Sequence, residues 1–271
     1  MARSIRALPW IFALLAAAAP AQPGQFDWLV GGGPHGNAVK AFRWNGSQTM
    51  NLPLAGSPSA ITMDADNEAM LIVAGGRLLR AFSNGIVFTV TPVTGLTSVD
   101  LDEDGNYLAT MTSAPLGHVL LRITPDGVAT TVATGLVQPG SFSPVSAVRW
   151  DLDSGDAVVG IYKFLTEPSL LRVARGGAIS TLTAALFEVR GLDQDPATGD
   201  FLVASQGALT RVGPAGALST LVNTCSANLM KPYCQRRSRT AGFRRSGSPG
   251  WVWFSGIELG DLVLLSGPRS G

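Results

Sequence analysis

One phrase recurs four times along this chain with the same internal spacing. Leu78-Leu79-Arg80, Leu120-Leu121-Arg122, Leu170-Leu171-Arg172 and Leu209-Thr210-Arg211 each open it. Five residues after each Arg stands a glycine (Gly85, Gly127, Gly177, Gly216), and four residues later a threonine (Thr89, Thr131, Thr181, Thr220). A degenerate copy lies upstream at Lys40 and Gly46, with one extra residue between them. From Lys40 through Arg80, Arg122, Arg172 and Arg211 the basic positions are 40, 42, 50 and 39 residues apart. Periodicity on this scale means a unit that cannot bury its own apolar surface and is completed by its neighbours.

The residues of each unit read as short strands. Alternation in His118-Val119-Leu120-Leu121-Arg122-Ile123 puts Val119, Leu121 and Ile123 on one face. Ser-Asn-Gly, Pro-Asp-Gly, Arg-Gly-Gly or Pro-Ala-Gly follows as hairpin punctuation, where glycine is free to take positive φ. A β-branched run such as Val128 to Val132 or Ile179 to Leu182 returns antiparallel. Two further strands precede each phrase, for example Ser98 to Leu101 then Asn106 to Thr112, with an Asp-rich turn between them. Four antiparallel strands per repeat make a propeller blade. Ala69-Met70-Leu71-Ile72-Val73-Ala74 is apolar on both faces, as a strand covered by a blade on each side must be.

Blade-like segments fall near 26–54, 58–94, 95–140, 142–188 and 189–223. The first lacks an innermost strand. The tail segment Gly260-Asp261-Leu262-Val263-Leu264-Leu265 echoes Gly199-Asp200-Phe201-Leu202-Val203-Ala204, so C-terminal strands are expected to complete or follow the last blade. The expectation is an all-β chain, a β-propeller of five or six four-stranded antiparallel blades. The phrase Asp-x-Asp, apolar strand, Leu-x-Arg, turn glycine and Ser/Thr-Thr resembles NHL-repeat propellers. It is also similar to gluconolactonase-like and virginiamycin B lyase-like propellers. The resemblance covers residues 26–223 and implies blade architecture; a metal-dependent lactonase or lyase activity is the enzymatic option it opens.

Both ends of the chain differ from the repeats. Arg3 and Arg6, the apolar run Leu8 to Ala19 and Ala19-Pro20-Ala21 have the three parts of a secretory signal. Residues 1–21 are therefore expected to be removed, leaving a secreted or periplasmic protein with propeller repeats over 22–223. No apolar run is long enough for a membrane span, which takes about 20 residues. The net charge of +1 and the charged fraction of 14% argue against a nucleic-acid partner for the whole chain. Residues 224–271 hold a basic stretch from Lys231 to Arg245 and the C-terminal strands, read as ring-closing or as an incomplete last blade. Cys225 and Cys234, the two cysteines, are close enough for a local disulfide in an oxidising compartment.

Three groups of residues could carry chemistry. Asp64/Asp66, Asp100/Asp102, Asp151/Asp153 and Asp193/Asp195 recur as pairs, which points to a shared turn in which carboxylates cap backbone amides. A helix-loop-helix calcium loop begun at Asp100 would need an acid at its twelfth position, where Met111 stands. His35 and His118 lie at the turns between second and third strands, as does the loop bearing Lys163 and Glu167. These four residues are the ligand-face candidates, where a His/His/Glu set facing one channel could bind a metal or act as acid and base. Calcium or magnesium is the divalent ion considered, and the Asp pairs are where calcium would be sought. Because every recurrent residue has a blade-building role, the expected function is a scaffold, with no cofactor, for a protein or carbohydrate ligand. The expected state is a monomer.

Overall fold

The computed structural model describes residues 28–31, 37–42, 48–64, 69–82, 85–113, 117–137, 144–162, 169–205, 208–223, 241–244, 251–254 and 262–265. Every regular element among them is a β-strand. The first three are β1 (Trp28–Gly31), β2 (Ala38–Phe42) and β3 (Gln48–Pro53). Blade A comprises β4 (Pro58–Asp64), β5 (Ala69–Ala74), β6 (Arg77–Phe82) and β7 (Val87–Thr89). Blade B comprises β8 (Leu96–Leu101), β9 (Tyr107–Ser113), β10 (Gly117–Ile123) and β11 (Ala129–Ala133). Blade C comprises β12 (Val145–Trp150), β13 (Ala157–Ile161), β14 (Leu170–Val173) and β15 (Ile179–Thr183). Blade D comprises β16 (Gly191–Gln194), β17 (Phe201–Ser205), β18 (Ala208–Val212) and β19 (Leu218–Asn223). A hairpin of β20 (Ala241–Arg244) and β21 (Trp251–Phe254) follows, then β22 (Leu262–Leu265).

Each blade is an antiparallel meander, and the first strands β4, β8, β12 and β16 lie against one another in series around the axis. β22 pairs antiparallel with β1, Val263 opposite Val30, and lies against β4. It therefore supplies the innermost strand of the sheet β22-β1-β2-β3. Two expectations change here. The C-terminal echo completes the first sheet and not the last. In place of five or six blades, consecutive strands build four, one for each intact copy of the phrase. The other four-stranded sheet draws on both ends of the chain, and β20–β21 stays two-stranded.

The core consists of layers between blades. β5 is buried along its whole length. On β10, Val119, Leu121 and Ile123 pack with Leu71, Val73 and Leu78 of blade A, while Leu120 packs with Val148, Val159 and Leu171 of blade C. Successive residues of one strand thus feed two different cores, which is why such strands are apolar on both faces. Burying each of these large apolar side chains contributes about 1.5–3 kcal/mol.

The repeated glycine and threonine now have physical causes. Thr89, Thr131, Thr181 and Thr220 pair with Leu79, Leu121, Leu171 and Thr210, the middle residue of each phrase. Gly127, Gly177 and Gly216 have φ of 91°, 85° and 83°. A Cβ on them would run into the backbone carbonyls of Val90, Val132 and Leu182, each on the preceding blade. Glycine is required both by the turn and by the approach of the neighbouring blade.

Gly177→Ala is expected to cost about 2–4 kcal/mol, from left-handed strain plus displacement of the blade B carbonyl. That is a drop of roughly 5–15 °C in Tm. Gly176→Ala, where a Cβ meets open space, is the control and should melt like the wild type. Equal melting of the two variants would contradict this role for the repeat glycine.

Candidate functional site

The turns on one face of the ring carry the repeated Asp and Arg. Asp64, Asp102, Asp151 and Asp195 occupy equivalent places, two residues beyond the first-strand residue aligned with the repeat Arg. Each meets the Arg of its own blade: Arg80–Asp64 at 3.9 Å, Arg122–Asp102 at 2.9 Å, Arg172–Asp151 at 2.7 Å and Arg211–Asp195 at 3.8 Å. The second role of Asp102, Asp151 and Asp195 is to cap the turn. Asp102 Oδ1 accepts from the amides of Asp104 and Asn106, Asp151 Oδ1 from Asp153, and Asp195 Oδ1 from Ala197. The next blade adds donors, Tyr107 OH to Asp64 and Gln194 Nε2 to Asp151. Burial alone would raise the Asp151 pKa, but the bonds from Ser154, Gln194 and the Asp153 amide, with the charge of Arg172, outweigh it and lower the value.

This register corrects the pairing read from sequence. Asp100/Asp102 and Asp193/Asp195 keep their frame, but in blade C the equivalent pair is Arg149/Asp151, and in blade A it is Thr62/Asp64. Thr62, Asp100, Arg149 and Asp193 form a belt across the four inner strands. Thr62 Oγ1 donates to Asp100 Oδ1 (3.4 Å), Arg149 Nη1 to the same oxygen (3.1 Å), and Arg149 Nη2 lies 3.0 Å from Asp193 Oδ1. The Trp150 amide donates to Asp100 Oδ2 at 2.8 Å. Asp100, foremost, raises the Arg149 pKa. One guanidinium thus serves two carboxylates, and these contacts lock the blades together.

The opposite face carries the turns between second and third strands and the connections between blades. Three residues before each belt position, three inner strands have a bulge at a small hydroxyl residue, Ser59, Thr97 and Ser146. Ser59 Oγ donates to Thr97 O (3.0 Å) and Ser146 Oγ to Val189 O (2.6 Å), each bracing the next blade. In blade D the equivalent residue is Arg190. Its Nη2 donates to Glu188 Oε2 (2.7 Å) and to Tyr162 OH (3.1 Å), and the guanidinium stacks on the Tyr162 ring at 5.2 Å. Burial pushes the Tyr162 phenol up, so it stays protonated at neutral pH.

The segment that holds this cluster is clamped from below. Ser169 is fully buried, donating from Oγ to Leu186 O (2.6 Å) and accepting from the Leu186 amide (3.0 Å). Ser146 holds Val189 O, and Gly160 leaves room for the Val189 side chain, since a Cβ there would lie 2.7 Å from Val189 Cγ1. Between these anchors Glu188 takes φ 48°, alone among the described non-glycine residues in being positive. Such a conformation costs about 1–3 kcal/mol and persists only where surroundings over-determine it. Leu186 and Val189 face inward, while Phe187 keeps 54% of its surface in solvent.

Of the ligand-face candidates, His118 sits on β10 and not in a loop, with 7% of its surface exposed. Its Nδ1 lies 3.2 Å from Thr112 Oγ1. His35, Lys163 and Glu167 lie outside the described residues, as do Cys225 and Cys234. Among the described residues no three His, Cys, Asp or Glu side chains converge as a metal cluster, and no helix is long and apolar enough to cross a membrane. Sequence reasoning missed Tyr162, Glu188 and Arg190. Their signal is an exception to the hydroxyl series Ser59, Thr97, Ser146, visible only once the inner strands are aligned.

Burial lowers the pKa of His118 and keeps it neutral in the folded protein. The unfolded chain then takes up the proton more readily, so this stability is present above about pH 6.5 and is lost as pH falls towards the folded value. Thermal melts of wild type and His118→Gln from pH 7.5 to 5 should show the wild-type advantage shrinking on acidification. A constant difference would contradict a buried neutral imidazole.

The fold has counterparts among solved structures. A protein of unknown function from Bacteroides caccae superposes with a TM-score of 0.56 at 16% identity, over 74% of this chain and 73% of that one. Virginiamycin B lyase from Staphylococcus aureus superposes at 0.55 with 13% identity, over 87% of this chain and 79% of the lyase. The extracellular domain assigned to a hybrid two-component system of B. thetaiotaomicron superposes at 0.50 with 13% identity, over 71% of this chain and 26% of that one. No family model matches the chain, and no curated protein does. The likeness is one of fold: four-stranded antiparallel blades arranged as in virginiamycin B lyase-like propellers.

Proposed function

We propose that the protein is an exported, NHL-like propeller that acts as a rigid monomeric scaffold, binding a protein or carbohydrate ligand on the face of the second-to-third strand turns. The observation that carries this reading is the division of labour between the faces. On one face each repeat Asp is engaged by its Arg and by turn amides or by the next blade. On the other, the blades differ, and blade D places a charged and aromatic cluster where the others place a small hydroxyl. A ring whose Asp–Arg pairs recur on one side, and whose series of small hydroxyls is broken at one blade on the other, has the form of a binding platform. Export is supported by the basic and apolar start of the chain and its small-residue cleavage site. The scaffold reading needs no metal, although the turn carboxylates and the His-bearing face are where a divalent ion would be sought.

The competing reading is a metal-dependent lactonase or lyase. Purified protein incubated with a virginiamycin B-type cyclic depsipeptide and with aldonolactones, with and without added magnesium or calcium, is expected to leave both substrates at the buffer rate. Turnover that a chelator abolishes would overturn the scaffold reading.

A further inference from the structure

We propose that Phe187, Glu188, Arg190 and Tyr162 form a subsite for a neutral sugar ring. This rests on the ligand-binding reading above and names the ligand's chemistry.

Three properties of the cluster favour a neutral polyol. The Glu188 carboxylate and the Arg190 guanidinium are held side by side at 2.7 Å, so the pair offers acceptor and donor atoms with no net charge. A vicinal diol matches such a pair, one hydroxyl accepting from the guanidinium and its neighbour donating to the carboxylate. An anion would gain from Arg190 but lose against Glu188, and a cation the reverse. Aromatic surface accompanies the pair: the Tyr162 ring lies under the guanidinium, and Phe187, which precedes Glu188 in the chain, is largely exposed. The C–H face of a pyranose is apolar and suits an aromatic ring, while its hydroxyl rim requires a few well-placed polar groups.

The backbone supports the same assignment. The Ser169 and Ser146 clamps fix Leu186 and Val189, so the intervening Phe187 and Glu188 are presented on a segment that needs little ordering on binding. The left-handed Glu188 is the strained residue of this face, and strain maintained by two serine clamps, Ser169 buried and Ser146 half-buried, belongs to a pre-organised site. In blades A and C the equivalent position is a serine that donates to the next blade's backbone; blade D gives up that brace for Arg190.

The test is calorimetric titration, with saturation-transfer NMR, of the protein with hexaoses of β-1,4-glucose, α-1,4-glucose and β-1,4-xylose, and with oligogalacturonates as the anionic comparison. At least one neutral series is expected to bind, with sugar C–H protons saturated from the protein's aromatic protons. Arg190→Ala and Phe187→Ala are each expected to weaken it by about tenfold or more. Phe187 keeps 54% of its surface in solvent, so Phe187→Ala should stay folded at the assay temperature, which keeps the test valid if Arg190→Ala unfolds. The proposal is overturned if no neutral oligosaccharide binds at up to about 10 mM, if Phe187→Ala binds undiminished, or if only the uronates bind. Such a failure without substrate turnover in the preceding assay removes the sugar and leaves a protein-binding scaffold; turnover there removes the scaffold itself.

Discussion

A carboxylate at the first turn of each blade, buried in blades A, B and C and half-buried in blade D, is answered by the repeat Arg from the third strand, and on this interaction the rest of the ring depends. Taking a carboxylate out of water costs several kcal/mol unless a partner and hydrogen bonds compensate it. Asp64, Asp102 and Asp151 are all buried, so each must be met, and the guanidinium arrives from across the sheet. The same guanidiniums extend to the next blade. Arg80 Nη2 lies 3.5 Å from Pro125 O and Arg172 Nη2 lies 3.3 Å from Pro214 O, both in the hairpin of the following blade. In blade C that hairpin carries Arg175 in place of proline, and it reaches back to Glu103 of blade B while stacking on Trp150. One residue per repeat therefore closes its own blade and, in blades A and C, helps to set the spacing to the next. In blades B, C and D the glycine five residues after the repeat Arg lets the preceding blade come close, whereas a Cβ on Gly85 would meet nothing among the described residues.

Much of this was legible in the chain because it is local and repeated. The Arg, Gly and Thr positions fall at fixed spacing, since each is set by a hairpin of constant length. Asp capping of the turn followed from the residue type alone. What escaped was set by register or by distance. The bulges at Ser59, Thr97 and Ser146 shift the inner strands by one residue. The bulge is common to blades B and C and does not separate them; Asp151/Asp153 looked equivalent to Asp100/Asp102 because the Asp-x-Asp spelling recurs, although Arg149 holds the first place of that pair. The pairing of β22 with β1 joins the two ends of the chain, a contact no spacing reveals. His118 looked like a loop residue beside Gly117, yet the ladder runs through both, Gly117 opposite Ser113 and His118 opposite Thr112.

The candidate site was less legible for a related reason. A repeat advertises what its copies share, whereas a ligand site on a ring is made where one copy departs from the others. Arg190 gave no motif of its own, and its partners Tyr162 and Glu188 come from blade C and from the connection after it. The strain at Glu188 is invisible in sequence, where glutamate gives no hint of a left-handed residue. Lys163 follows Tyr162 in the chain, so the loop singled out from sequence begins at the cluster without naming it.

A double-mutant cycle on Asp102 and Arg122 tests the central claim most directly, using Asp102→Asn, Arg122→Leu and the double variant in urea unfolding. Arg122→Leu alone should cost about 2–3 kcal/mol, below the range for a fully buried pair, because Arg122 keeps 28% of its side-chain surface in water. The double variant should cost less than the sum of the singles by at least about 1 kcal/mol. Losses that add to within about 0.5 kcal/mol would mean that the carboxylate and the repeat Arg do not depend on each other, and the account of the ring would fail.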